Sequence, residues 1–460
     1  MQTTGLVRVT VATPQRRIDM ALPEHAAVAE ILPGLLAHAG DHLADDPATA
    51  GGWLLRRTDG SVFDLDRTLG AHRVRDGEIL HLVPRGTDWP ELEYDDLVDA
   101  IATGSSRRGR VWGPRHTRVA GLATGATAAM LGLVAVLRAG PPWFGPAGWA
   151  LGAAALLLCA GVVLARAVGD AGAGAVSASA ALPFAFAGGG LLLADDAPMT
   201  ALSAGHLVLA GAALTLAALV GYLGVTAWPE LFAGGVTAGL LAVIGGWLTT
   251  LDSLEGHETA AVLASAVLAL STAFAPLALR LSRVPMPVLP RSTADLVRDD
   301  PQPPPTVVHA AVARADSLLT GMLTGASVTV LVCLVFLARS DSEAAVVLMI
   351  VLAAGFLLRA RLYPILRQRV PVLATGVAGL ACVAVGPLMA DRAALLVSVG
   401  PLLLAVGAAT TAAGIVYSVR KPNPYLGRFA EYFEILVLIT VVPVACSVLG
   451  LYGYVRGLGG

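Results

Sequence analysis

Apolar and polar positions follow two different rhythms along this chain. Across residues 6–11 and 17–22 they alternate: Val7, Val9 and Val11 share one face, then Ile18, Met20 and Leu22. Alternation with period two marks half-buried strands, and the turn residues Thr13 and Pro14 between them predict a hairpin. Residues 26–39 then switch to helical spacing, with Val28, Ile31, Leu32, Leu35 and Leu36 on one side. Pro33 should kink this helix or end its first half, and Gly40 is placed to cap it. Short strands follow at 53–56, 62–63 and 78–83. From residue 119 to the end the rhythm disappears into long apolar segments cut by short polar breaks.

The first regime reads as ββαββ in about eighty residues, the order of a β-grasp fold. Its local text resembles the last third of ubiquitin: the turn Arg67-Thr68-Leu69 precedes a strand that contains Leu80-His81-Leu82-Val83. Gly86 runs on into Thr87 rather than ending the chain, and the head contains no lysine, so a docking module is expected rather than a conjugated modifier. The domains expected are a ubiquitin-like head at 1–86, an acidic helix with a basic linker at 87–117, and a transmembrane region at 118–460. In the linker, Glu91, Glu93, Asp95, Asp96 and Asp99 precede a collar of Arg107, Arg108, Arg110, Arg115 and Arg118.

The second regime predicts an all-α polytopic membrane domain of eleven helices. The spans fall at 119–137, 147–165, 171–193, 203–225, 231–250, 259–279, 317–338, 344–358, 370–390, 393–417 and 435–454. Most approach the roughly 20 residues that a ~30 Å hydrocarbon core requires. The eighth is short, and Arg359 at its end is expected to snorkel towards the headgroups. A loop at 280–316 divides the spans six and five, and its proline clusters should keep it extended. No basic segment followed by a short apolar one opens the chain, so insertion is expected to start with the span at 119.

Composition agrees with this division. Of 460 residues, 56% are hydrophobic and only 14% charged, far from the quarter charged of a soluble domain. The formal net charge of −2 hides an asymmetry: residues 1–106 carry 9 Arg against 17 Asp and Glu. An acidic head on a basic-rimmed body argues against nucleic-acid binding. With the head inside, 18 Arg and Lys flank the inner ends of the spans and 4 flank the outer ends. This positive-inside imbalance predicts a cytoplasmic N-terminus and, with an odd number of spans, a C-terminus on the outer face.

The spans so drawn contain no Asp, Glu, Lys or Arg, and His206 is their one ionisable imidazole. Ion-coupled transporters need ligands at mid-membrane. A hydrogen-bonded or interfacial role suits His206 better than a proton relay. Asp170 follows Gly169 but lacks the rest of an intramembrane protease signature. Cys159, Cys333, Cys382 and Cys446 all lie in apolar segments and form no CxxC pair, as buried hydrophobes would. No phosphate-binding loop, zinc spacing or hydrolase elbow is present, so neither an enzyme nor a cofactor or metal site is expected. GxxxG pairs at Gly121/Gly125, Gly148/Gly152, Gly235/Gly239 and Gly321/Gly325 permit close helix approach, although 51 glycines make several such pairs a matter of chance.

Three stretches resemble EccD, the integral membrane component of type VII (ESX) secretion systems. They are the opening at 7–40, the basic loop RARLYPILRQRVPVL at 359–373 and the tail at 425–458. The resemblance implies a structural subunit that pairs as a homodimer around a lipid-filled vestibule. It implies an inner-membrane assembly with EccB, the EccC ATPase and EccE, in which the ATPase drives export. Arg107, Arg108, Arg110, Arg359, Arg361, Arg367 and Arg369 are the candidate contacts with partners or lipid headgroups. The competing reading, a small-molecule or lipid transporter with a regulatory head, calls for broken helices, mid-membrane polar groups and an internal repeat.

Overall fold

The computed structural model describes residues 5–13, 16–39, 52–84, 112–198, 203–251, 254–285, 304–385, 397, 399–419 and 424–458. Chain contacts separate it into two compact units, Met1–Trp112 and Gly113–Gly460.

In the first unit, β1 (Leu6–Ala12) and β2 (Arg17–Pro23) pair antiparallel, with Val9 opposite Met20. Strand β4 (Glu78–Pro84) then inserts between β1 and β3 (Trp53–Arg57), so the order is β2-β1-β4-β3. β1 and β4 run parallel, as a β-grasp requires, and the helix α1 (Val28–Ala39) lies between their halves of the chain. The alternating valines of β1 are buried together with Leu80 and Leu82 of β4 and Val28, Ile31 and Leu35 of α1. Leu69 of the Arg-Thr-Leu turn is fully buried. Two local expectations are corrected. Helix α1 continues through Pro33, which forfeits one interior hydrogen bond without ending the helix. The strand expected at 62–63 is reduced to a single bridge between Val62 and Arg56. Gly40, the acidic segment at 89–102 and Arg107, Arg108 and Arg110 lie outside the described residues.

The second unit is helical: α2 (Pro114–Arg138), α3 (Phe144–Val163), α4 (Ala171–Leu191), α5 (Ala204–Gly224), α6 (Pro229–Leu248), α7 (Gly256–Leu270), α8 (Phe274–Leu281), α9 (Pro305–Ala338), α10 (Glu343–Ala360), α11 (Leu366–Val383), α12 (Gly400–Val419), α13 (Pro424–Val448) and α14 (Leu451–Leu458). A wider turn at Leu164–Val168 extends α3, and a short 3₁₀ turn fuses α7 to α8. Among the described residues, ten helices are long and apolar enough to cross a membrane. The remaining expected span, at 370–390, falls on α11; residues 386–390 lie outside the described set.

Short-range polar contacts test the alternation of the spans. Trp143 donates its ring N–H to Ala197 O at 2.8 Å, tying two breaks expected on the outer side. Arg166 donates to the carbonyls of Leu223 and Gly224 at the C-terminus of α5, and Arg118 pairs with Asp170. Each of these contacts joins span ends that the sequence assigns to a common side.

Among the described residues, two apolar clusters make up the interior of this unit. One collects side chains from α2 to α6, the other from α7, α9, α10, α11 and α13. The packing boundary therefore falls between the fifth and sixth spans rather than at the loop 280–316, because α7 turns its buried face to α9 and α10. Helices α6 and α9 join the clusters through glycine. A Cβ on Gly321 would stand 2.5 Å from Ala233 Cβ, and one on Gly325 would overlap Gly234 O. Gly235 and Gly239 similarly admit α5, facing Ala218 and Thr215. Gly121, Gly125, Gly148 and Gly152 face open space.

Three further expectations change. Helix α9 starts at Pro305, twelve residues before the expected span, because proline is well suited to the first helical position, where no N–H is required. Helix α2 likewise takes Arg115 and Arg118 into its first turns. Cys159 is exposed on α3, whereas Cys333 is buried.

Candidate functional site

The basic loop between α10 and α11 gathers several charged side chains of the helical unit. Arg359 ends α10, and Arg361, Tyr363 and Pro364 form the connection to α11, which carries Arg367, Gln368 and Arg369 in its first turns. The loop closes on two carboxylates from distant helices.

The first is Glu434 of α13. Arg359 Nη1 lies 3.0 Å from Glu434 Oε1, and Arg361 Nη2 lies 3.1 Å from Oε2. Arg361 also donates through Nη1 to Gly427 O at 3.0 Å. Arg359 is 3% exposed and Glu434 8%. Tyr363 is buried beside them, and its burial pushes the hydroxyl's pKa above the usual value of 10.0. Arg359 therefore does not snorkel. Helix α13 begins at Pro424, ahead of the span start expected at 435, and Glu434 supplies a buried counter-charge that holds the guanidinium in place.

The second carboxylate is Asp316 of α9. It accepts from Arg367 Nη2 at 2.8 Å and from Gln368 Nε2 at 2.7 Å. Glu230, in the first turn of α6, stands 3.9 Å from Arg367 Nη1. Gln368 is buried, Arg367 remains largely exposed and Arg369 is exposed. The loop thus clasps α6, α9, α10, α11 and α13 at one end of the bundle. Arg359 and Arg361 meet on Glu434, Arg367 meets Asp316 and Glu230, and Arg369 is exposed.

Glu434, Asp316, Glu230 and Gln368 are absent from the sequence-based candidates. Glu434 immediately precedes the apolar run that begins at Ile435, so a span drawn by hydropathy leaves it outside. Two arginines beside a span end were the available signal, since buried guanidinium demands a partner.

Elsewhere His206 and Asp170 cap helices. His206 Nδ1 accepts from the Ser203 N–H at 2.9 Å at the start of α5. Asp170 caps α4 by accepting from the Ala173 N–H at 2.9 Å; this bond first, then Arg118, holds its carboxyl below the usual range. Among the described residues, no three His, Cys, Asp or Glu side chains are grouped so as to hold a metal ion.

Comparison with known families and structures extends this picture over the whole chain. Residues 117–458 match the family described as "EccD-like transmembrane domain". The chain belongs to the EccD-like transmembrane family. Its head, residues 6–82, matches the family of the WXG100 protein secretion system protein YukD. The EccD-like chain is 28% identical to the ESX-4 secretion system protein eccD4 of Mycobacterium tuberculosis, over 99% of this chain and 98% of that protein. It is 31% identical to the ESX-3 secretion system protein EccD3 of the same organism over 48% of this chain and 45% of that protein. Protomer 1 of the ESX-3 core complex shares its fold at a TM-score of 0.59 and 21% identity, covering 98% of this chain and all of that one. A chain of the MycP5-free ESX-5 inner membrane complex does so at 0.54 and 22% identity, over 90% of this chain and all of that one. The EccD-like chain is thus an integral multi-pass membrane protein with a ubiquitin-like head.

Proposed function

We propose that this chain is a structural, non-enzymatic membrane subunit of a type VII (ESX) secretion assembly. The observation that carries the reading is its end-to-end similarity, head and spans together, to a protein named as an ESX-4 secretion component. The distribution of charge supports it. Among the described residues, ionised side chains of the helical unit sit at helix ends or on the extended starts of α9 and α13, and a pump would need them at mid-span.

In this reading two copies pair in the bacterial inner membrane with the head in the cytoplasm. They hold EccB-, EccC- and EccE-type subunits around the export path, and the EccC-type ATPase supplies the energy. Helix α12 supports an assembly role: it is apolar and none of its residues is buried, so the other described residues leave its surface for lipid or another protein. Arg369 and Arg367, with Arg107, Arg108 and Arg110, are the proposed contacts with partner subunits or headgroups. Arg359 and Arg361 serve the clasp.

Gentle detergent extraction followed by native mass measurement tests the proposal. A large assembly that contains an ATPase and two copies of this chain is expected. A lone monomer that moves a small solute or lipid across liposomes would overturn it.

A further inference from the structure

The clasp around Glu434 leaves hydrogen-bond donors unsatisfied. Arg359 uses Nη1 for Glu434, while its Nε and Nη2 are buried and have no partner. These two nitrogens form one edge of the guanidinium plane, the edge that offers two parallel N–H groups to an oxyanion. Arg361 uses both Nη atoms, and its Nε is also buried and unpartnered. Three donors are therefore left over in a site where the residue that provides two of them is 3% exposed.

Charge points the same way. Two guanidinium groups share one carboxylate, and Tyr363 contributes a neutral hydroxyl, which leaves one positive charge uncompensated among the described residues. Burying an unpaired charge is far more costly than burying a paired one. A water molecule would satisfy the N–H groups and leave the charge. A singly charged oxyanion satisfies both.

We propose that Arg359 and Arg361 form a phosphate-binding site whose natural occupant is the phosphodiester of an anionic phospholipid. The surroundings favour a lipid over free phosphate. Leu362, next to Arg361, is exposed, and so are Leu426, Arg428 and Phe429 around Gly427, whose carbonyl Arg361 holds. The partly open side of the site, where the Arg361 side chain is 25% exposed, is therefore bordered by apolar side chains suited to glycerol and acyl chains. The site differs from the surface contacts proposed above, because its arginines are tied to Glu434, and it does not depend on the secretion reading.

The test uses the full chain, delipidated in detergent and titrated with phosphatidylglycerol, phosphatidylcholine or inorganic phosphate. Native mass spectrometry counts bound lipid, and thermal unfolding reads stabilisation. Saturable phosphatidylglycerol binding is expected, stronger than that of phosphatidylcholine, and weakened about tenfold or more by Arg359→Gln or Arg361→Gln, the loss of a charge-assisted hydrogen bond. Arg339→Gln, an exposed arginine at the other end of α9, should bind as the parent does. Where Arg359→Gln does not fold, Arg361→Gln decides. Stabilisation by inorganic phosphate with the same arginine dependence, and none by lipid, supports the site with free phosphate as occupant. Absence of saturable binding by either, or binding that Arg361→Gln leaves unchanged, overturns it. Both measurements are made on the isolated chain, so their failure is separate from any failure to assemble with secretion partners.

Discussion

The guanidinium of Arg359 and the carboxylate of Glu434 meet at 3.0 Å inside the protein, joining the end of α10 to a point about three turns into α13. Removing one member of such a pair leaves the other charged and buried, at a cost of about 3–5 kcal/mol. Glu434→Ala should therefore lower the unfolding temperature of the helical unit clearly. Thermal unfolding of the purified chain in detergent would show it, and an unchanged transition would mean that the pair contributes nothing net.

The exposed and buried arginines of the same loop should behave differently. Arg369→Glu should leave stability near the parent value, because the side chain is exposed, and should weaken co-purification of partner subunits. Arg359→Glu would set two carboxylates against each other and should reduce the amount of folded chain in the membrane. Expression level and pull-down, measured on both variants, separate the roles.

Glycines at the α6–α9 joint should tolerate no side chain. A Cβ on Gly325 overlaps the Gly234 carbonyl, so Gly325→Ala is expected to cost about 1–3 kcal/mol, the usual range for overpacking. Gly148→Ala, where nothing lies within 4 Å, should be neutral in the isolated chain. Loss of co-purifying partners in that variant alone would identify the open pair as an assembly surface.

Asp170 should make the helical unit sensitive to acid. The hydrogen bond from Ala173 and the neighbouring Arg118 hold its pKa below the ordinary 3.8. A depressed carboxylate pKa means that the unfolded chain binds the proton more tightly. The stabilisation is then complete above the ordinary value and is lost as pH falls through the folded one. Unfolding temperature measured below about pH 4 should fall more steeply in the parent than in Asp170→Asn, which should already be less stable at neutral pH.

Leu69 tests the head. It is fully buried, and Leu→Ala at such a site costs about 2–5 kcal/mol. In a small domain that is much of the total stability. Leu69→Ala should make residues 6–84 susceptible to limited proteolysis while the helical unit stays intact.

The head was legible because period-two alternation in β1 and β4 places the same valines and leucines inward whatever the neighbours are. The spans were legible because a backbone in hydrocarbon must satisfy its own hydrogen bonds, which leaves long apolar helices as the solution for such segments. By local rule Pro33 and Pro305 break helices. Both fit within helices, one at the cost of a single bond and one at the first position, where no N–H is needed. The clasp was half legible. Arg359, Arg361 and Arg367 stood out as a basic run, but their carboxylates come from residues 230, 316 and 434, and no local pattern links these.

By itself the sequence determined the class of the protein: a β-grasp head, an apolar body, charge kept to span ends, and spans whose ends fall on alternate sides. Each follows from local periodicity or from the cost of charge in lipid, and both act on neighbours along the chain. Only the tertiary structure decided which helices share a core, which glycines are contacts and which arginines are withdrawn. Those outcomes depend on groups far apart in the chain, brought within a few ångströms by packing. Arg359 carries the distinction. Its position beside a span suggested a surface cation, and Glu434, from 75 positions further along the chain, makes it a buried one.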